Sequence, residues 1–306
     1  MTENSLSDKD IRYSHCELCP RRCGTDRYSA HGFCRCGTQI KAARAALHFW
    51  EEPCISGKNG SGAVFFSGCT LRCRYCQNKE ISSGGFGREI TPQRLAEIFM
   101  ELRAKGAHNI ELVTASQFLP GVLEALDMVR GRLRLPVVYN SGGYENVSAV
   151  KALKGYADIF MPDIKYYDSG LSAALSSAPD YFAKASQAVK AMAEQAGPPV
   201  FGSDGMLRSG LIIRHLVLPG HRHDSIKILR WLSENLESGS YLISLMSQYT
   251  PRGADAEYPE LSRRLTSFEY NSVVDEAVSL GITRGYVQER TSAAKEYTPP
   301  FDLEGI

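Results

Sequence analysis

From residue 63 onward, short apolar runs alternate with amphipathic stretches of helical period. Ala63-Val64-Phe65-Phe66-Ser67 reads as a buried strand, because it is apolar throughout and too short for a core helix. Thr91-Pro92 then predicts a helix start, with Thr91 as N-cap and Pro92 in the first turn, where its missing N–H has no consequence. Leu95, Ile98, Phe99 and Leu102 recur on one helical face, and Gly106 suits the C-terminal stop. Further strands are predicted at Ile110–Thr114, Pro136–Tyr139, Asp158–Met161, Leu211–Leu218 and Tyr241–Met246, with a short last one at Tyr286–Gln288. Helices are predicted near 120–132, 145–154, 180–196, Ser225–Leu236 and 266–280. This alternation predicts an α/β fold with a parallel sheet. Right-handed crossovers curl such a sheet into a partial (β/α)6 TIM-type barrel, whose chemistry sits on the loops after the strand C-termini.

The two ends of the chain differ from this middle. Residues 1–60 read as an N-terminal Cys-rich metal-binding extension, rich in Cys, Gly and Arg, poor in apolar periodicity and too short for a core of its own. Its first ten residues are polar and are expected to be disordered. Residues 61–290 form the predicted barrel, and 291–306 a polar tail with Pro299-Pro300 that is expected to wrap the surface.

A formal net charge of +1 argues against a strongly basic nucleic-acid binder. No apolar run is long enough to span a bilayer, and the polar start lacks the apolar core of a secretory signal, so a cytoplasmic protein is expected. The cysteines change the picture more. All 9 lie between Cys16 and Cys76. Close-spaced, odd-numbered thiols in a large cytoplasmic chain indicate metal rather than disulfides.

Directly after the first barrel strand comes Gly68-Cys69-Thr70-Leu71-Arg72-Cys73-Arg74-Tyr75-Cys76, a C-x3-C-x2-C loop. Three thiolates on one tight loop can hold three irons of a cubane and leave the fourth open, whereas structural zinc requires a fourth ligand. This loop resembles the signature of the radical S-adenosylmethionine (SAM) superfamily. The resemblance implies a [4Fe–4S] cluster on Cys69, Cys73 and Cys76. Its open iron would bind the amine and carboxylate of SAM, and one electron would break the S–C5′ bond to give a 5′-deoxyadenosyl radical.

The likeness runs through nearly the whole chain. Cys16-Glu17-Leu18-Cys19-Pro20-Arg21-Arg22-Cys23-Gly24, Glu52-Pro53-Cys54-Ile55-Ser56-Gly57, Met161-Pro162-Asp163-Ile164-Lys165-Tyr166, Arg214-His215-Leu216-Val217-Leu218-Pro219-Gly220 and Leu245-Met246-Ser247-Gln248-Tyr249 are similar to segments of iron–sulfur proteins related to pyruvate formate-lyase activating enzyme. That grouping implies hydrogen abstraction from a glycine of a partner enzyme, with an electron donor such as flavodoxin or ferredoxin. The alternatives are radical modification of a small molecule, a peptide or RNA, and a non-catalytic metal-binding module.

By the same resemblance, Asn140 and Ser141 line the SAM pocket, and Asp163 and Lys165 contact SAM. Asn140, Ser141, Met161 and Asp163 match the activases' monovalent-cation site, but Asn140 replaces their Asp and removes a charge. Gln248 takes the place of a SAM-contacting His. The usual Gly-Gly-Glu-Pro-like segment is replaced by Val113-Thr114-Ala115-Ser116-Gln117, so backbone carbonyls, Thr114, Ser116 or Gln117 would receive the SAM amine. From the residues themselves, Arg214 lies inside an apolar strand, where a charge requires a partner or a polar cavity, and it is expected to contact an anion. His215 is expected to be a satisfied core or pocket histidine, and His221 and His223 solvated.

In the extension, Cys16, Cys19, Cys23 and Cys34 are the expected second metal site, with Cys36 as alternate; structural zinc and an auxiliary Fe–S cluster both suit such thiols. Cys54 is expected to be structural. Arg12, Arg21, Arg22, Arg27, Arg35, Lys41 and Arg44 make the extension basic. With few aromatics there for base stacking, a solvated face is favoured over RNA binding.

Overall fold

The computed structural model describes residues 13–253, 255–288 and 298–306. The expectations for residues 1–10, for Arg12 and for 291–297 lie outside them. The first half of the chain runs β1 (Ile40–His48), α1 (Pro53–Ser56), β2 (Ser61–Phe66), α2 (Lys79–Ser82), β3 (Arg88–Ile90), α3 (Pro92–Ala104), β4 (Ile110–Val113), α4 (Leu119–Val129), β5 (Val137–Ser141) and α5 (Val147–Ala152). The second half runs β6 (Ile159–Pro162), α6 (Ser169–Ser176), α7 (Tyr181–Ala196), β7 (Val200–Phe201), β8 (Leu207–Leu216), α8 (Arg222–Asn235), β9 (Leu242–Met246), α9 (Ser267–Ser279) and β10 (Gly285–Val287).

Strands β2, β4, β5, β6, β8, β9 and β10 pair in that order, each parallel to the next. A sheet in which successive parallel strands are spatial neighbours is the open, partial barrel that the alternating pattern predicts. Parallel strands are covered on both faces, which is why β2, β5, β6 and β9 are buried along their whole length. Helix α3 begins as expected: the Thr91 side chain accepts from the Arg94 N–H at 3.1 Å, and Leu95, Ile98, Phe99 and Leu102 are buried. Four such side chains contribute roughly 1.5–3 kcal/mol each.

The extension departs from its expected character. Residues 40–48 form β1, which pairs antiparallel with β2 on one side and with β3 on the other. A register shift between Ala42 and Arg44 interrupts its period of two, and Lys41 and Arg44 interrupt its apolar run. Residues 298–306 lie along β1: Ala45 N–H donates to the Glu304 carbonyl at 2.7 Å, Leu303 N–H to Ala43 at 3.0 Å, and Arg44 pairs with Asp302 and Glu304.

The solvated face expected of the extension's arginines is also corrected. Arg27 is only 2% exposed; its Nη1 donates to the Gln117 carbonyl at 2.7 Å and its Nε to that of Cys36 at 3.2 Å. Arg21 donates to the carbonyls of Thr70 and Ser176, each at 2.7 Å. Loops of this kind lack a ladder to satisfy their carbonyls, and the guanidinium fork supplies the donors. Arg22 and Arg35 remain exposed, although Arg35 still reaches the Ser83 carbonyl at 2.6 Å.

Candidate active site

The loop from Gly68 to Asn78 leaves the C-terminal end of β2 and turns sharply, with positive φ at Gly68 (81°) and Arg72 (53°). Gly68 is required for a further reason: a Cβ there would stand 2.7 Å from the Cys34 carbonyl oxygen. The turn gathers Cys69, Cys73 and Cys76 and gives each sulfur a donor. Leu71 N–H donates to Cys69 Sγ at 3.3 Å, Ser176 Oγ to Cys73 Sγ at 3.1 Å, and Ser82 Oγ to Cys76 Sγ at 3.3 Å. Such donors match thiolate ligands and tune the potential of a cluster they hold.

Burial pushes the Cys69 thiol up to about 12, and the neighbouring Cys73 and Cys76 add to the rise. Burial also raises Cys73, against the pull of Lys165. Metal binding favours the deprotonated thiolate, so irons bound at these sulfurs would offset that rise. Among the described residues no group of three or more His, Cys, Asp or Glu side chains is arranged around a single ion. Ligands of a cubane are not so arranged, because each thiolate holds its own iron.

Cys73 and Cys76 face a cavity of about 560 Å³ at the C-terminal mouth of the sheet. Asn140, Asp163, Lys165, Arg214 and Gln248 line the same cavity. A charge ladder crosses it. The Lys165 ammonium pairs with Asp163 Oδ2; Asp163 Oδ1 accepts from Arg214 Nε at 3.0 Å; Arg214 Nη1 donates to Glu51 Oε2 at 2.8 Å and Nη2 to Asn140 Oδ1 at 2.6 Å. Burial pushes the Asp163 carboxyl up, but Lys165 and Arg214 outweigh it and hold the group below its ordinary value. Arg214 is likewise held charged against burial, chiefly by Asp163 and Glu51.

The backbone fixes these ends. Ile164 N–H donates to the Arg214 carbonyl at 2.8 Å and Asp163 N–H to that of Ser141 at 2.9 Å. Tyr181 Oη lies 2.9 Å from the carbonyl oxygens of Gly142 and Asp163 and accepts from Lys165 N–H at 3.0 Å. Gly143 has φ +76°, and a side chain there would collide with the Asp163 carbonyl.

Other residues singled out in the sequence lie elsewhere. Ser116 turns away from the cavity: its hydroxyl donates to Glu145 Oε1 at 2.5 Å and accepts from Tyr139 at 3.0 Å. Gln117 clamps the start of the cluster loop, its amide donating to the carbonyls of Ser67, Gly68 and Thr114 at 3.0–3.1 Å. Thr114 is half-buried and bonds through that carbonyl, and the Ser141 hydroxyl accepts from Gly143 N–H at 3.3 Å. His215 is fully satisfied by the Ile164 carbonyl and the Ser225 hydroxyl. His221 lies 3.0 Å from Glu260 rather than being merely solvated.

In the extension, the Cys23 and Cys34 sulfurs flank Gly32, at 3.3 and 3.6 Å from where its Cβ would stand. Burial raises the Cys19 thiol, and Cys34 and Cys16 lie near enough to add to the rise. Cys54 is buried on α1 beside the Tyr286 hydroxyl. Sequence reasoning missed His48, Glu51 and Glu52, although Glu52-Pro53 belongs to a segment already notable for its likeness to other proteins.

Residues 63–236 match the family description of the radical SAM superfamily. The chain belongs to the radical SAM superfamily. Membership implies a [4Fe–4S] cluster and SAM, and the donor set on Cys69, Cys73 and Cys76 fits that cluster. This radical SAM chain is 28% identical over 275 residues to an uncharacterized protein of Methanocaldococcus jannaschii, covering 86% of this chain and 74% of the relative. Among solved structures, methylornithine synthase (PylB) superposes with a TM-score of 0.51 at 16% identity, over 80% of this chain and 65% of that one. SuiB of Streptococcus suis bound to SAM gives 0.47 at 11% identity, over 74% of this chain and 50% of SuiB. The chain thus spans about half the length of SuiB. The likeness to PylB bears on the fold, and it agrees with the parallel order of β2 to β10.

Two outcomes follow for the radical SAM chain. Asp163→Asn strands two buried cations and should lower the unfolding free energy by roughly 2–4 kcal/mol, moderated by the Glu51 that remains for Arg214. The urea midpoint measures this; an unchanged midpoint would contradict the ladder. Burial pushes the Glu145 carboxyl up to about 7, with Ser116, Tyr139 and Ser141 opposing. The folded state therefore holds a proton that the unfolded state releases, so this group's stabilisation falls as pH rises from the ordinary carboxylate range to about 7. Relative to the parent, Glu145→Gln should gain about 2–3 kcal/mol between pH 5 and pH 7.5. A pH-independent difference in denaturation would refute this.

Proposed function

We propose that Cys69, Cys73 and Cys76 hold the [4Fe–4S] cluster of a radical SAM enzyme that abstracts hydrogen from a substrate in the adjoining cavity, in the manner of a glycyl-radical activase. When bound, the cluster supplies one electron that splits SAM into methionine and a 5′-deoxyadenosyl radical, which becomes 5′-deoxyadenosine on taking the substrate's hydrogen. The observation that carries this reading is a shared wall: Cys73 and Cys76 face the same cavity as Lys165, Asp163 and Arg214. Lys165 offers its ammonium to the SAM carboxylate, and Asp163 holds that ammonium charged and in place. Arg214 positions Asp163 and Asn140 rather than standing free for an anion. Asn140 and Gln248 add polar contacts to the same wall.

Phe49 and Trp50, each 49% exposed, line the cavity, which supports a substrate that reaches in from outside, such as a glycine-bearing segment of a partner enzyme. A cytoplasmic flavodoxin or ferredoxin is the proposed source of the electron. The thiols of Cys16, Cys19, Cys23 and Cys34 are proposed to hold a second metal, zinc or an auxiliary Fe–S cluster, that staples the extension to the barrel.

Reconstituted anaerobically and reduced, the protein should convert SAM to 5′-deoxyadenosine and methionine. Lys165→Ala should weaken SAM binding at least about tenfold with unchanged iron content, as expected for a lost charge-assisted contact. Fully loaded protein that yields no 5′-deoxyadenosine would refute the catalytic reading.

A further inference from the structure

The segment joining β1 to α1 brings two acids to the cavity, Glu51, which ends the charge ladder, and Glu52, which the ladder leaves unused. Glu51, Glu52 and Asp163 line the cavity, opposed by Lys165 and Arg214. Both cations already have partners: Lys165 has Asp163, and Arg214 has Asp163, Glu51 and Asn140. His48, on the same wall, adds no positive charge near neutrality, because burial and then the nearby Arg44 and Arg214 push it down to about 4. A further acid, Glu111, lies beneath Asn140 and bonds to it at 2.7 Å. The cavity therefore carries more carboxyl groups than cations.

Glu52 holds the surplus. The residue is only 8% exposed, and its Oε2 is buried without any hydrogen-bond partner among the described residues. An orphaned carboxyl oxygen costs about 1–3 kcal/mol or more, and such an atom in a cavity wall marks a contact made only when a ligand is present. Burial, with Glu51 nearby, also pushes this carboxyl up against the pull of Arg214 and of a hydrogen bond with Ser244, and an arriving cation would relieve that penalty. Phe49, Trp50 and Tyr286 line the same cavity, Tyr286 near enough to Glu52 to feel its charge, and aromatic faces favour a cation over an anion.

The placement separates this end from the cluster. The ladder runs from Lys165, which feels the Cys73 sulfur, through Asp163 and Arg214 to Glu51, so the β1–α1 segment stands at its far end. SAM bound at the cluster meets the Lys165 end.

We infer that Glu52, framed by Trp50 and Tyr286, is a substrate-recognition site for an alkylammonium or guanidinium group. The inference rests on the radical SAM reading and adds the chemical class of substrate: the molecule to be modified carries a cationic amine or guanidinium, either on a free small molecule or on a lysine or arginine of a peptide segment. Glu52 is here a binding residue, not an acid or base in the chemistry.

The test uses anaerobically reconstituted, oxidised protein saturated with SAM and reads binding by titration calorimetry, so that no turnover is needed. The probes are agmatine, N-acetyl-lysine methylamide and N-acetyl-arginine methylamide, with N-acetyl-norleucine methylamide as neutral isostere and N-acetyl-glutamate methylamide as anion. The cationic probes should bind at least about tenfold more tightly than the isostere, and Glu52→Gln should bring that ratio to within about twofold. Preference for agmatine over the capped amino acids indicates a small molecule, and the reverse a peptide. Equal binding of cationic and neutral probes to the parent protein overturns the inference without recourse to any variant. So does the absence of cation binding at millimolar concentration. A Glu52→Gln protein that loses SAM affinity tenfold also overturns it, by assigning the carboxylate to SAM. Failure of the parent protein to bind SAM would instead strike the radical SAM reading, and is recorded separately in the SAM titration.

Discussion

The carboxylate of Asp163 is shared between Lys165 and Arg214, and the geometry of the cavity depends on that sharing. The three groups come from the ends of β6 and β8, adjacent parallel strands whose last bond is Ile164 N–H to the Arg214 carbonyl. Charges this deeply placed persist only where each has a partner of opposite sign at hydrogen-bonding distance. Arg214 meets that condition twice, through Asp163 and Glu51, and also reaches the neutral amide oxygen of Asn140. One guanidinium thus connects β5, β6, β8 and the segment after β1. Lysine could not replace it, lacking the planar fork.

The second constraint is the cluster loop. A run from Gly68 to Asn78 has little regular structure, so its shape is imposed by its surroundings. Arg21 from the extension and Gln117 from the end of β4 grip its carbonyls, Ser176 from α6 and Ser82 from α2 address its sulfurs, and Tyr166 bonds to Ser176 at 2.7 Å. The extension is therefore a wall of the site. Arg27, buried beneath it, links Cys36 to Gln117 and so to the loop.

The parts legible in the sequence are those whose signal is local. Parallel strands covered on both faces appear as unbroken apolar runs, and Thr91-Pro92 marks a helix start within a few residues. Arg214 stands out because its charge interrupts such a run, whereas Asp163 and Lys165 are legible through the likeness of their segment to other iron–sulfur proteins. Residues whose role depends on distant partners give no such mark. Glu51 meets Arg214 across 163 positions, and Ser176 meets Cys73 across 103. Strand β1 is hidden by its register shift and by Arg44, which looks solvated until the tail is seen against it. Ser116 follows the right strand but turns inward to Glu145, a direction that its position in the chain does not encode.

The proposed centre of the site is a cubane with one iron open to SAM, held by the thiolates of Cys69, Cys73 and Cys76. The most direct measurement is iron and sulfide content per chain together with the electron paramagnetic resonance spectrum of the reduced protein before and after SAM is added. The expected result is a cluster of about four irons and four sulfides that depends on Cys69, Cys73 and Cys76 and whose spectrum changes on SAM binding. A spectrum indifferent to SAM, or a cluster that survives replacement of all three cysteines, would contradict it.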